Sequence, residues 1–210
     1  MTLSRTHCAI WAAAALVAPA PVAAQQEAPE AAPEASAEAA VSGDLVVTLL
    51  GTGTPTLSET RFGAANLVQA GGLNLLFDAG RGASIRVAQA GQTPGTLDAV
   101  FLTHFHSDHV NGLSDIYLTG YFVGATLKGR TEPFQIYGPT GTKQLMDGLQ
   151  AAHSWDIETR RIDEGTPEAT AQVVAHEADE GVVFEQNGVT VTAIPVNHGQ
   201  NMFPAVAARI

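Results

Sequence analysis

Three histidines and one aspartate stand within six consecutive positions of the chain: His104, His106, Asp108 and His109, in the segment THFHSDH. Imidazole nitrogens and carboxylate oxygens are ligands for zinc and related divalent metals. Side chains two positions apart in an extended chain point to the same side, so His104 and His106 can bind one metal ion. Asp108 and His109 follow where the chain turns, and we expect them to face a second ion.

Two divalent ions a few ångströms apart hold a bridging water and lower its pKa toward neutrality. The segment therefore predicts metal-assisted hydrolysis, in which a metal-bound hydroxide attacks the substrate. The alternative is a polar loop whose histidines titrate and sense pH. Four ligand-type side chains directly after an apolar strand favour the metal site. Zinc suits these ligands, and manganese and iron remain open.

The histidines need an apolar strand before them, and residues 98–103 (DAVFLT) have that pattern. Further strands are predicted at 45–50, 65–69, 73–77, 133–137, 182–185 and 189–194, with hairpin turns at Gly71-Gly72 and Asn187-Gly188. Helices are predicted at 81–90, 112–123 and 140–152, the last capped by Thr140. The chain begins with consecutive strands and continues with strands that alternate with helices. This order predicts an α/β layered domain with a mixed sheet.

Glycines follow the first predicted strand, in Gly51-Thr52-Gly53. No Gly-Lys-Ser/Thr follows them, so a phosphate-binding loop is disfavoured. We expect these glycines to form a tight turn near the metal cleft.

Together these motifs resemble the ribonuclease Z and arylsulfatase-like branch of the metallo-β-lactamase superfamily. The signature is His104-x-His106-x-Asp108-His109, and residues 50–55 (LGTGTP), 78–80 (DAG) and 103–113 (THFHSDHVNGL) strengthen it. The resemblance extends from about residue 45 to the end of the chain. It implies an αββα sandwich with two divalent metal ions, most simply Zn²⁺, in a cleft at one edge of the two sheets.

The resemblance also implies residue roles. His198, in the segment VNHG, would complete the first metal site with His104 and His106, an ordinary loop histidine being the alternative. Asp108 would be both a ligand and a general base. Asp78 would steady the histidine loop from behind, although it could also cap the helix that follows it. The family pattern continues to a bridging Asp in a Gly-Asp-Thr-like segment and to a later His. Neither follows in this sequence, so we expect the domain to be incomplete at its C terminus.

The N-terminal residues are typical of an exported protein. Arg5, an apolar stretch at 9–18 and small residues before Gln25 predict a signal peptide at 1–24, cleaved after Ala24. The apolar stretch is too short to span a bilayer, so no stable membrane span is expected. Residues 25–43, rich in Ala, Pro and Glu, predict a disordered linker and leave 44–210 as the metallo-β-lactamase-like domain. We therefore expect a periplasmic or secreted protein.

The net charge of −11 gives the chain no field that attracts nucleic-acid phosphates. The negative charge and the predicted export together make a nucleic-acid partner unlikely. They favour a small-molecule ester as the substrate, with a phosphodiester or an aryl sulfate as the preferred candidates. A lactone or a β-lactam is an alternative substrate, and a non-catalytic periplasmic metal-binding protein is the alternative class. The oligomeric state stays open, a dimer included.

Asp163-Glu164 and residues 177–180 are predicted to be solvated acidic loops. Trp155 and Phe203 are predicted to pack in the core or to line a pocket.

Overall fold

A computed structural model of the protein describes residues 45–121, 129–199 and 205–210. Several sequence-based predictions lie outside the described residues: the signal peptide at 1–24, the linker at 25–43, Phe203 and the last two residues of the helix predicted at 112–123.

The larger sheet has six strands in chain order: β1 Val46–Gly51, β2 Ala65–Ala70, β3 Leu73–Phe77, β4 Ala99–Phe101, β5 Phe134–Gly138 and β6 Val173–Glu177. The first three pair antiparallel, and β3 to β6 pair parallel. This is the mixed sheet of an α/β domain that the sequence predicts. The predicted hairpin turn lies between β2 and β3, where Gly71 and Gly72 both have a positive φ that glycine adopts without strain.

Helices cover one face of this sheet. They are α1 Ala83–Gln89, α2 Ser107–Val110, α3 Leu113–Tyr121, α4 Thr142–Ala152, α5 Ser154–Asp163 and α6 Glu168–Ala171. Leu76, Val100 and Ile136 point from β3, β4 and β5 into a core that contains Ile116 of α3 and Met146 of α4. All five side chains are almost completely buried.

A second, three-stranded sheet covers the other face. Its strands are β7 Gly181–Gln186, β8 Val189–Val196 and β9 Ala205–Arg209, all antiparallel. Phe184 of β7 meets Phe101 of β4 edge to face, with ring centroids 5.6 Å apart. Strands buried on both faces read as nearly continuous apolar runs, which explains why the sequence of β3 and β4 is so apolar.

The structure corrects two local predictions. The helix predicted from Thr140 begins at Thr142, and its N-cap is Gly141. Trp155 is neither in the core nor in a pocket wall, because it lies on the surface helix α5 with 85% of its area exposed. None of the residues of α5 is fully buried, and it is Ile157 rather than Trp155 that packs partly against the core.

No helix in the described ranges combines the length and the apolar character that crossing a bilayer requires.

Candidate metal centre

The histidine segment begins where β4 leaves the sheet. The N–H of Leu102, one residue beyond β4, still donates to Tyr137 O of β5 at 2.8 Å. Helix α2 then starts at Ser107, with His106 as an extended N-cap residue. The segment therefore lies at the carboxyl edge of parallel strands, the usual position of ligand sites in α/β sheets.

Three histidine side chains converge at this edge: His104, His106 and His198. One ring nitrogen from each lies within 4.8 Å of the other two. His104 Nε2 and His106 Nδ1 are 3.0 Å apart. Zinc–nitrogen bonds of about 2.0–2.1 Å allow two ligands of one ion to lie up to about 4 Å apart. His106 and His198 are exposed, which leaves their rings room to rotate toward a shared ion.

Burial sets the protonation state of His104. The side chain is buried, and this burial, with the charge of His109, lowers its pKa to about 4. The ring is therefore neutral at pH 7, as a metal ligand must be. Its Nδ1 lies 2.9 Å from Thr103 Oγ1, and that hydroxyl lies 2.9 Å from Asp78 Oδ2. Since a carboxylate only accepts, the hydroxyl donates to Asp78 and accepts from His104 Nδ1, which leaves the Nε2 lone pair for a metal.

Asp78 connects two of the predicted ligands. Besides the Thr103 hydroxyl, it accepts the Thr103 N–H at 2.8 Å and faces His109 Nδ1 at 2.7 Å. It does not cap the following helix, because the N-cap of α1 is Gly82 and has no side-chain hydrogen bond. Asp78 is buried and has a φ of 60°, a left-handed conformation that is uncommon outside glycine. This backbone aims the carboxylate at the histidine segment.

Asp108 and His109 lie beside the histidine cluster. Burial by itself would lower the pKa of His109, but the hydrogen bond and the charge of Asp78 outweigh it, so the pKa is raised. The rings of His104 and His109 have centroids 4.1 Å apart, and His109 Nε2 lies 3.8 Å from Asp108 Oδ2. Asp108 is buried, and its Oδ1 has no hydrogen-bond partner among the described residues. A buried carboxylate oxygen without a partner costs free energy that a cation would recover. The donor set therefore fits divalent metal binding.

Glycines let the backbone approach the helix that carries Asp108 and His109. A Cβ on Gly80 would overlap Asp108 O and would lie 2.5 Å from Gly63 C. A Cβ on Gly63 would lie 2.8 Å from Asp108 O. The tight turn expected at Gly51-Gly53 is not present, because Gly51 ends β1 and no turn follows it at residues 52–54. Gly53 N–H instead donates to Phe62 O at 2.6 Å, and a Cβ on either glycine would meet the backbone oxygen of Phe62.

Sequence reasoning gave no role to Thr103 and assigned Glu177 and Asp179 to a solvated loop. Thr103 could have been noticed because it directly precedes His104. The two acids are solvated as predicted, with Glu177 the exposed last residue of β6 and Asp179 in the bend that follows, but each also accepts backbone hydrogen bonds. Glu177 Oε1 accepts the N–H of Gly141 at 2.9 Å, and Asp179 accepts the N–H of Thr140 at 2.8 Å. Both contacts depend on the pairing of β5 with β6, which the sequence pattern did not predict.

Comparison with known proteins identifies relatives of this chain. A family model described as Anti-Pycsar protein Apyc1 matches residues 45–210. A ribonuclease Z from Mycobacterium sp. (strain KMS) is 39% identical over 164 residues, which are 78% of this chain and 56% of the relative. The chain thus spans little more than half the length of the curated relatives it matches.

Solved structures agree with this relationship. The short form of human tRNase Z aligns with a TM-score of 0.57 and 26% identity, covering 76% of this chain and 62% of that protein. The metallo-β-lactamase fold protein YhfI from Bacillus subtilis aligns with a TM-score of 0.52 and 20% identity, covering 79% of this chain and 57% of that one, which shows the shared fold. The chain belongs to the Anti-Pycsar protein Apyc1 family, in the ribonuclease Z-like branch of the metallo-β-lactamase superfamily.

Proposed function

We propose that the protein is a metal-dependent hydrolase that cleaves phosphodiester bonds. The observation that carries this proposal is the convergence of one ring nitrogen each from His104, His106 and His198 to within 4.8 Å of one another. The buried Oδ1 of Asp108, which has no hydrogen-bond partner among the described residues, supports it. The names of two relatives, ribonuclease Z and tRNase Z, denote enzymes that act on RNA, a phosphodiester polymer. They support the phosphodiester over the sulfate ester, the lactone and the β-lactam.

In this proposal His104, His106 and His198 hold one divalent ion, and Asp108 and His109 contribute to a second. When bound there, Zn²⁺ or a similar ion supplies Lewis-acid activation of water and of the substrate oxygen. The carboxylate of Asp78 keeps His109 oriented. Asp108 Oδ1, which has no hydrogen-bond partner among the described residues, would accept a proton from the attacking water.

Two observations bear on whether the phosphodiester substrate is a small molecule or RNA, and they point in opposite directions. The net charge of −11 disfavours broad affinity for a polyanion, whereas the relatives' names favour RNA and weaken the sequence-based argument against a nucleic-acid partner. We propose a small phosphodiester as the substrate, and RNA cleavage is the outcome that would replace it.

The test is a substrate panel with Zn²⁺ or Mn²⁺ added: a chromogenic phosphodiester, a precursor tRNA, an aryl sulfate, a lactone and a β-lactam. We expect hydrolysis of the chromogenic phosphodiester, loss of this activity with a chelator and recovery with metal. His106→Ala should abolish the activity and lower the metal content, while His153→Ala, at the junction of α4 and α5, should change neither. Hydrolysis of the sulfate, the lactone or the β-lactam alone would replace the phosphodiester assignment, and a protein that binds the ion but turns over none of the five substrates would be a metal-binding protein without catalysis.

We also propose that residues 1–24 direct export. The support is the succession of Arg5, an apolar stretch and small residues. The N-terminal sequence of the protein recovered from the periplasm or the medium should begin at Gln25. An intact N terminus on a protein that stays in the cytoplasm would contradict this assignment.

A further inference from the structure

Phe105 stands between two of the candidate metal ligands and packs on the turn that follows β5. Its ring is partly buried against the helix-side core. A Cβ on Gly141, in that turn, would lie 3.0 Å from Phe105 Cε2, so the ring rests directly on the glycine backbone. Gly141 has a φ of 109°, which a residue with a side chain adopts only under strain. The conformation of this turn therefore determines where the ring of Phe105 lies.

Two carboxylates at the end of β6 hold the turn in place. Glu177 Oε1 accepts the N–H groups of Gly141 and Lys143, at 2.9 and 2.8 Å. Asp179 accepts the N–H and the hydroxyl of Thr140, at 2.8 and 2.9 Å. Hydrogen bonds to an ionised carboxylate are stronger than those between neutral groups. They also cap α4, whose own N-cap residue, Gly141, offers no side chain.

We propose that Glu177 and Asp179 are positioning residues of the metal centre. They fix residues 139–143, this turn fixes Phe105, and Phe105 fixes the spacing of His104 and His106. Among the described residues neither carboxylate hydrogen-bonds to a candidate ligand, so their effect passes through the turn and the ring. The inference rests on the proposed function because it takes the two histidines as metal ligands.

The first test measures metal affinity in matched variants. Glu177→Ala removes the acceptor, whereas Glu177→Gln keeps an oxygen that accepts the same two N–H groups. Glu180→Ala removes an exposed acid of the same loop that has no described hydrogen bond. Residues that orient metal ligands from behind contribute about 10- to 100-fold to affinity, and we expect the low end, about tenfold, for Glu177→Ala. Glu180→Ala should bind Zn²⁺ like the unmodified protein, and Glu177→Gln, which keeps the acceptor but loses the charge, should lie between the unmodified protein and Glu177→Ala.

A second readout does not require the metal. Hydrogen exchange in the metal-free protein should rise in Glu177→Ala both at residues 139–145 and at residues 103–107. A role confined to capping α4 would raise exchange in the first range alone.

Asp179→Ala, which leaves the Gly141 and Lys143 hydrogen bonds intact, gives a milder variant should Glu177→Ala fail to fold. In a Phe105→Ala background the Glu177→Ala effect on affinity should disappear, because contacts in series are not additive.

The outcomes separate this inference from the proposed function. If the unmodified protein binds no divalent ion, the proposed function fails, and hydrogen exchange at 103–107 still decides whether the carboxylates position the histidine segment. If the unmodified protein binds Zn²⁺ but Glu177→Ala matches it in affinity and in exchange at 103–107, the positioning role is overturned and the hydrolase proposal stands.

Discussion

Thr103→Val tests the hydrogen-bond relay from Asp78 to His104. Valine has nearly the shape of threonine, so the change removes two hydrogen bonds of the hydroxyl, to His104 Nδ1 and to Asp78, both 2.9 Å long. His104 is only 6% exposed, so water cannot easily replace the lost acceptor. Leaving a buried donor unsatisfied costs about 1–3 kcal/mol. The ring can avoid that cost by moving its proton to Nε2, which removes the lone pair that a metal needs.

The expected result is a loss of Zn²⁺ affinity of about tenfold or more, or about 1.4 kcal/mol per factor of ten. Competition with a chromophoric chelator measures this directly. Thr103→Ser keeps the hydroxyl and should retain most of the affinity. Thr190→Val, on the exposed face of β8, controls for the loss of a hydroxyl as such. A folded Thr103→Val protein that binds Zn²⁺ as tightly as the unmodified one would refute the relay.

Three further predictions concern the same region. Asp78→Asn should weaken Zn²⁺ binding more than Thr103→Val, by about 100-fold in the same titration, because one amide oxygen cannot replace a carboxylate that serves Thr103 and His109 together. Gly80→Ala should lower the urea midpoint sharply because its Cβ overlaps the backbone near Asp108, whereas Gly148→Ala, with open space in α4, should raise the free energy of unfolding by about 0.5–1 kcal/mol. Zn²⁺ at a hundred times its Kd should add about 2.7 kcal/mol to the free energy of unfolding, an increase that a chelator should abolish.

The sequence predicts the elements whose pattern depends on burial. β3 and β4 are apolar on both faces, so their runs stand out, and Asn187-Gly188 marks the β7–β8 turn. It does not predict β6 (VVAHE), an edge strand of mixed polarity, or α5, a surface helix without a fully buried residue. Edge strands and surface helices lack the one-sided apolar pattern on which such predictions depend.

The candidate site divides in the same way. The local spacing of residues 104–109 indicates metal chemistry without any knowledge of the fold. His198 lies about 90 positions farther along the chain, and only the family resemblance linked it to the other histidines. The roles of Thr103, Glu177 and Asp179 depend on contacts between neighbouring strands, which a pattern along one chain segment does not contain.

In the proposed two-ion site, the shared use of Asp78 would link the two ions thermodynamically. Its carboxylate faces His109 directly and His104 through one hydroxyl. An ion bound to one of these rings would make the N–H of that ring more acidic and strengthen its hydrogen bond toward Asp78. The carboxylate would then be a weaker hydrogen-bond acceptor for the group that faces the other ring. Occupancy of one site must then alter affinity at the other, and by reciprocity the factor is the same in both directions. Loading with metal would therefore be negatively cooperative, and a titration would not fit two independent sites.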